Sequence, residues 1–386
     1  MSGEADHREA AGRAVLQRNA LIVGAALLLV CTFYGALVDH ASFFRAYLIA
    51  FEFWLSISLG CMAVMMIRHL TGGAWGLYLR PLLEGGAMMT PLLAVLFAPL
   101  LLGLAYVYPW RIDFVGGSLF GELTDTKRFW FDLPFFVGRA VAYFGVWTLF
   151  AVLLNTGARE PALVMHDPPP RFRAVSAIGL AAYGLTITFA SIDWSMSLNP
   201  LWFSSMYGPM YAAGQLLAGF AFVVLAAALL AKAPPAQLFR DLGNLLLAFT
   251  MIWAYLSFSQ FLLIWAGNLP DETVYYRPRV EGGWGWMALA LVLGQFVLPF
   301  LLLLAKRVKV SPRLLALVAS ISLVMHFVDL VWLTVPSFPD ASWNLFILAP
   351  ALFVGVGGVW ISVFLWRLQR RPFHSAAALH LEVPEL

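Results

Sequence analysis

Five ionisable residues sit in stretches that are otherwise apolar enough to cross a membrane: Glu52, Arg139, Asp193, His326 and Asp329. Taking such side chains out of water is costly. An ionisable residue inside a membrane span is therefore a functional candidate, usually with a partner on another helix. His326 and Asp329 lie three residues apart in SLVMHFVDLVWLTVPSF (322–338), so a helix would place them on one face. Arg45 and Glu52, seven apart, also share a face. Burial and neighbouring charge can bring such groups to titrate near neutrality, as a proton relay or a base acting on a hydroxyl donor requires.

Each residue has a plainer reading. Arg139 with a carboxylate would make a structural ion pair. Asp193, followed by Trp194 and Ser195 at a helix end, reads as interfacial and wet. Arg45 would snorkel to headgroups. Gln215, Gln260 and Gln295 read as interhelical hydrogen-bonding residues. Trp110, Trp130, Trp202, Trp284 and Trp343 read as an interfacial belt. Glu52 and the His326–Asp329 pair are the deepest and have no local partner.

The elements that must position these residues follow from composition. The chain has 386 residues, 61% hydrophobic and 12% charged, with a mean hydropathy of +0.82. Soluble domains carry about 25% charged residues. An all-α integral membrane protein is the expected class. Spans of about 20 apolar residues are expected at roughly 19–39, 44–67, 87–107, 134–154, 172–192, 205–231, 242–265, 284–305, 313–335 and 343–366. Breakers such as Gly72-Gly73, Pro168-Pro169-Pro170, Pro234-Pro235 and Gly282-Gly283 separate them. This gives a short N-terminal segment (1–18), one membrane domain (19–366) and a tail (367–386). Of the 24 basic residues, 17 fall on the side holding both termini, 6 on the other, and Arg139 inside a span. Both termini are thus expected in the cytoplasm. All five ionisable residues then fall in the outer half, within about 14 Å of that surface, and the inner half reads as almost free of such groups. The outer loops 108–133 and 266–283 read as docking surfaces. The small net charge of +3 gives no sign of a nucleic-acid partner. Cys31 and Cys61 form no CxxC or CxxCH motif, so no covalent haem, iron–sulfur or zinc site is expected.

Four stretches carry a family resemblance: RHLTGGAWGLYLRPLLE (68–84), SIDWSMSLNPLWFSSMYG (191–208), LGNLLLAFTMIWAYLSFSQFLLIWAGNLPDET (242–273) and HFVDLVWLTVPSF (326–338). With ten spans, the chain resembles the ActF subunits of bacterial alternative complex III, within the wider group of NrfD and polysulfide-reductase membrane subunits. The likeness runs from about Leu59 to Arg367. It implies two four-helix bundles (about 44–192 and 205–335) flanked by two peripheral helices, in the bacterial inner membrane. It further implies no bound haem, a quinone such as menaquinone as ligand, and surrounding lipids. The implied partners are a sister quinol-oxidising subunit, a periplasmic iron–sulfur protein and c-type cytochromes. The chain departs from the family in carrying His326 where an arginine would be unsurprising.

Three functions follow as alternatives. The first is a respiratory subunit acting in quinol interaction or proton translocation. There Asp329 and His326 form the relay, Glu52 a second carboxylate, Arg139 a charge partner and Asp193 the outer exit. The second is a membrane anchor for redox subunits. The third is a secondary transporter, which paired broken helices would favour; none are evident.

Overall fold

A long apolar run in a membrane must satisfy its backbone internally, and an α-helix does so within a single segment. The computed structural model describes residues 2–73, 75–112, 123–155, 168–230 and 236–369, with side chains described except at 2–11, 77, 112 and 236. It has ten helices long and apolar enough to span, and no strand among the described residues. We label them α1 (Gly12–Leu37), α2 (His40–Thr71), α3 (Tyr78–Leu102), α4 (Leu133–Asn155), α5 (Pro170–Leu198), α6 (Tyr207–Leu230), α7 (Gln237–Gly267), α8 (Trp284–Leu304), α9 (Pro312–Ser337) and α10 (Trp343–Gln369). The chain is an all-α, multi-pass membrane protein. The end where α1 begins is called proximal and the opposite end distal. The middle of loop 108–133, residues Arg159 and Lys232, the Pro234-Pro235 breaker and nearly all of the tail lie outside the described residues.

Contacts close into two four-helix rings. In one, α2, α3, α4 and α5 pack in sequence and α5 returns to α2. In the other, α6, α7, α8 and α9 do the same. α2 and α6 join the rings, α10 lies along α2, and α1 lies along α10. The two expected bundles are present, and α1 is the outermost helix. α10 is half-buried and forms a layer between α1 and the bundles.

α2 is buried along its whole apolar window, which explains why it is apolar all round rather than amphipathic. Its contact with α6 depends on glycine. A Cβ on Gly60 would overlap the Gln215 carbonyl oxygen, and one on Gly219 would lie 2.6 Å from the Cys61 nitrogen. Small residues let membrane helices approach this closely.

Two elements differ from expectation. Residues 68–84, expected as a connection, are mostly helical: a helix runs over Trp75–Ala87, and from Tyr78 on it is the proximal half of α3. The helix accommodates Pro81, and Arg80 Nε bonds Glu84 Oε1 at 2.8 Å across one turn. The third span therefore begins nine residues before the expected 87. In α8, residues Val292–Val297 are π-helical, just before Pro299. Pro299 has no N–H for the Gln295 carbonyl and its ring crowds that group, a common cause of such a widened turn.

A distal tie joins the first and last hairpins. Asp39 accepts from Ser42 N (2.9 Å), Ser342 Oγ (3.1 Å) and Asn344 Nδ2 (2.9 Å). Burial pushes its carboxyl up, but these hydrogen bonds outweigh that and hold it at about 2. Nearby, Arg45 does not snorkel. It is buried, bonds Tyr106 O (3.1 Å) and Asp340 (3.0 Å), and lies 4.4 Å over the Phe338 ring.

Candidate functional site: two buried polar centres

The five residues do not form one layer. They divide into two centres that differ in how well their polar atoms are satisfied.

The first lies between α4 and α5. Asp193, at the distal end of α5, accepts Arg139 Nε and Nη2, each at 2.8 Å. It also accepts Trp130 Nε1 at 2.7 Å and Tyr143 Oη at 2.8 Å. The Arg139 guanidinium lies 4.1 Å over the Trp130 ring and 4.4 Å over Phe135. Both oxygens of the carboxylate are thus used, by a bidentate arginine fork and two neutral donors. Asp193 is fully buried, not wet as expected. The cause is the segment 123–132, which folds inward and brings Trp130 onto the carboxylate. Trp130 is a ligand of the ion pair rather than a belt residue. Trp110 and Trp202 are also core residues, at 1% and 3% exposure, while Trp343 is exposed.

The second centre lies where α2, α6 and α9 meet. A small cavity there, with about 10 Å³ open to the centre of a water, is lined by Ser56, Met210, Tyr211, Gly214, His326, Asp329, Leu330 and Leu333. That space suits about one water. Asp329 accepts Trp253 Nε1 from α7 at 3.2 Å. Neither nitrogen of His326 has a hydrogen-bond partner in the protein. Its ring packs on Phe53 at 5.6 Å, and Gly214 leaves it room: a Cβ there would sit 3.3 Å from His326 Cε1.

Glu52 lies one turn from Ser56 on α2 and is fully buried. Neither carboxylate oxygen makes a well-formed hydrogen bond. The Tyr211 hydroxyl interacts with it, and Tyr207 and Tyr108 lie within electrostatic range. α2 begins at His40, earlier than expected, so Glu52 is about 18 Å along the helix rather than near its distal end. Tyr108 is the link between the centres. It feels both Glu52 and Asp193, and its hydroxyl donates to Trp194 O at 3.0 Å.

Among the glutamines, Gln215 accepts Tyr183 Oη at 2.9 Å and Gln260 accepts Ser204 Oγ at 2.7 Å. These two serve as interhelix or helix–loop ties. Gln295, in the π-helical turn, has no partner for either side-chain atom.

Sequence reasoning missed two features. Arg279, counted as an outer-loop residue, is fully buried beside the distal end of α9. The proximal end is also not free of ionisable groups. Arg68, His69 and Glu84 are buried there, with His69 Nδ1 2.9 Å from Ser176 Oγ. A span drawn to end at residue 67 assigns that turn to a loop. Among the described residues, no three His, Cys, Asp or Glu side chains are grouped to hold a metal.

No known family model matches this chain. No curated protein matches it either. The functional reading therefore rests on the two centres and the resemblance of the four stretches.

Proposed function

We propose that this chain is a proton-handling membrane subunit of a quinol-oxidising respiratory complex of the alternative complex III type. The observation that carries the reading is the contrast between the centres. Glu52 and Asp329 are buried carboxylates with zero and one well-formed hydrogen bond, next to an unpartnered imidazole and a water-sized cavity. A carboxylate kept only for stability is normally fully paired, since an unpaired buried charge is costly. A carboxylate that gains and loses a proton must be left free to exist in both forms. The 326–338 and 242–273 stretches of the resemblance supply His326, Asp329 and Trp253 to this centre.

In this reading Asp329 and Glu52 hold the proton in turn. Tyr211 and one water bridge them, and His326 shapes the site and accepts a proton in passing. Quinone, the iron–sulfur protein and the c-type cytochromes belong to the complex as partners. Arg139 and Asp193 serve as an anchor, since every strong acceptor there is already used.

The test is to tag the chain, purify it from bacterial membranes, and assay the preparation for co-purifying c-type haem and iron–sulfur subunits. Quinol-driven proton release in vesicles is then compared for the parent, Glu52→Gln and Asp329→Asn. The expected result is co-purification, with proton release lost in both variants. Purification without redox partners, or unchanged proton release in both variants, refutes the proposal.

A further inference from the structure

The distal segment 269–281 connects α7 to α8 and is bounded at both ends by left-handed backbone, Asn268 (φ 45°) and Gly282 (φ 58°). Between these points it forms two short helices, Pro270–Thr273 and Arg277–Val280. The second turns Arg279 inward. Its Nη1 donates to Tyr275 O and its Nη2 to Leu333 O, each at 2.6 Å, and Nη2 also reaches Ser337 Oγ at 2.9 Å. The guanidinium lies 3.6 Å over the Tyr275 ring. Trp332 Nε1 donates back to Arg279 O at 3.1 Å.

These bonds fix the segment to the last turns of α9, the helix that lines the cavity with His326, Asp329, Leu330 and Leu333. Leu333 lines the cavity and takes the Arg279 bond. Tyr275 and Tyr276, both on the segment, lie within electrostatic range of Asp329. The segment therefore covers the distal side of the second centre.

The latch is unusual. Arg279 is fully buried, yet no carboxylate among the described residues is within ion-pair distance. Its Nε has no partner, and neither do the adjacent buried Trp202 Nε1 and Thr334 Oγ1. Trp202 stacks on Tyr275 at 3.9 Å. A buried guanidinium held only by neutral acceptors and a ring keeps much of its desolvation cost. In an opened arrangement water would satisfy all three donors. Arg277, two residues away, is exposed and pairs with exposed Glu281.

The geometry points to segment 269–281 acting as a hinged lid over the second centre, with Arg279 as its releasable latch. Opening admits water from the distal side to the cavity, and closing shuts it out. Nothing in this inference requires the respiratory assignment.

The test uses the purified full-length protein in detergent, with Ser56→Cys as a reporter in the cavity wall; Cys31 and Cys61 are buried. Two rates are read: modification of the reporter by a small methanethiosulfonate, and hydrogen exchange of the amides in 269–281. Arg279→Ala is expected to raise both at least tenfold. Arg277→Ala, which removes the same charge from the same segment, should leave both within twofold of the parent. Arg279→Lys, which keeps charge but loses the fork, should fall between and guards against a poorly folded alanine variant. Parent-like rates in both Arg279 variants overturn the lid. So does an equal acceleration by Arg277→Ala. Neither rate depends on quinol or proton release, so failure here leaves the proposed function standing, and the reverse also holds.

Discussion

If the first centre is an anchor, breaking it should cost stability in a pattern that only a buried ion pair produces. Arg139→Met removes two of the four hydrogen bonds to Asp193, those from Nε and Nη2, and leaves the carboxylate with Trp130 and Tyr143 alone. Asp193 has no exposed surface through which water could replace them. Orphaning a buried charge costs about 3–5 kcal/mol. Asp193→Leu should be similar, because it leaves a guanidinium 9% exposed between two aromatic rings. The double variant has no orphan charge, and replacing a buried pair by apolar groups is often close to neutral. It should therefore be more stable than either single variant, with a coupling of about 3 kcal/mol. Ordinary interhelical hydrogen bonds in membranes couple by only about 0.6 kcal/mol. The assay is reversible unfolding in mixed micelles, titrated with a denaturing detergent and followed by far-UV circular dichroism. A coupling at or below about 0.6 kcal/mol would refute the anchor, because the pair would then be no stronger than a neutral tie.

Other outcomes follow from the same geometry. Gly214→Ala brings a Cβ to 3.3 Å from His326 Cε1, which a small ring shift absorbs, whereas Gly214→Val should fill the cavity; proton release should fall slightly in the first and at least tenfold in the second, without loss of assembly. Gly60→Leu should abolish accumulation of folded protein in membranes, since the Gln215 carbonyl at its Cβ position is backbone and cannot move aside. The Asp39 tie should be pH-dependent. Its folded value of about 2 lies below the ordinary carboxylate range of about 4, so its contribution is full above about pH 4 and disappears as pH falls through about 2. Asp39→Asn should be less stable than the parent at neutral pH, by at most about 1 kcal/mol at this part-exposed site, and the gap should close on acidification.

The fold was largely legible because spans are written in composition. Twenty apolar residues in a row leave few alternatives to a membrane helix, and all ten runs folded so. The boundaries were less legible where polar residues sit in helical turns. Arg68 and His69 extend α2 past its apolar window, and the 68–84 stretch reads as a loop because of Gly72 and Gly73. The site was half legible. Depth and residue type selected His326 and Asp329, which line one cavity with Tyr211, and Glu52, which lies one turn from the cavity residue Ser56 and beside Tyr211. Spacing along a helix could not reveal that Asp193 and Arg139 pair across α4 and α5, away from the others. Loop residues were the least legible. Nothing local distinguishes Arg279 from Arg277, yet one is buried and the other exposed, because their directions are set by a turn that depends on the packing of Tyr275 and Trp202.

Polar satisfaction, rather than the presence of charge, separates the roles within this bundle. Arg139 and Asp193 look like the stronger functional candidates if one counts charges, because they carry a complete ion pair. Yet a pair with a bidentate fork and two further donors has little reason to change protonation: moving a proton would cost several good hydrogen bonds at once. Glu52 and Asp329 have far fewer to lose. The polar atoms nearby, on His326, Tyr211 and Ser322, are likewise without well-formed partners, as is Gln295 on the neighbouring helix. Evenly satisfied polar groups are what a rigid scaffold needs. Leaving the His326 nitrogens, the Glu52 oxygens and the Tyr211 hydroxyl without well-formed partners near a water-sized space at the α2–α6–α9 junction has no benefit for packing. On the proposed function it places the groups that change protonation at the seam between the two bundles, while the ion pair, with both Asp193 oxygens bonded, ties α4 to α5.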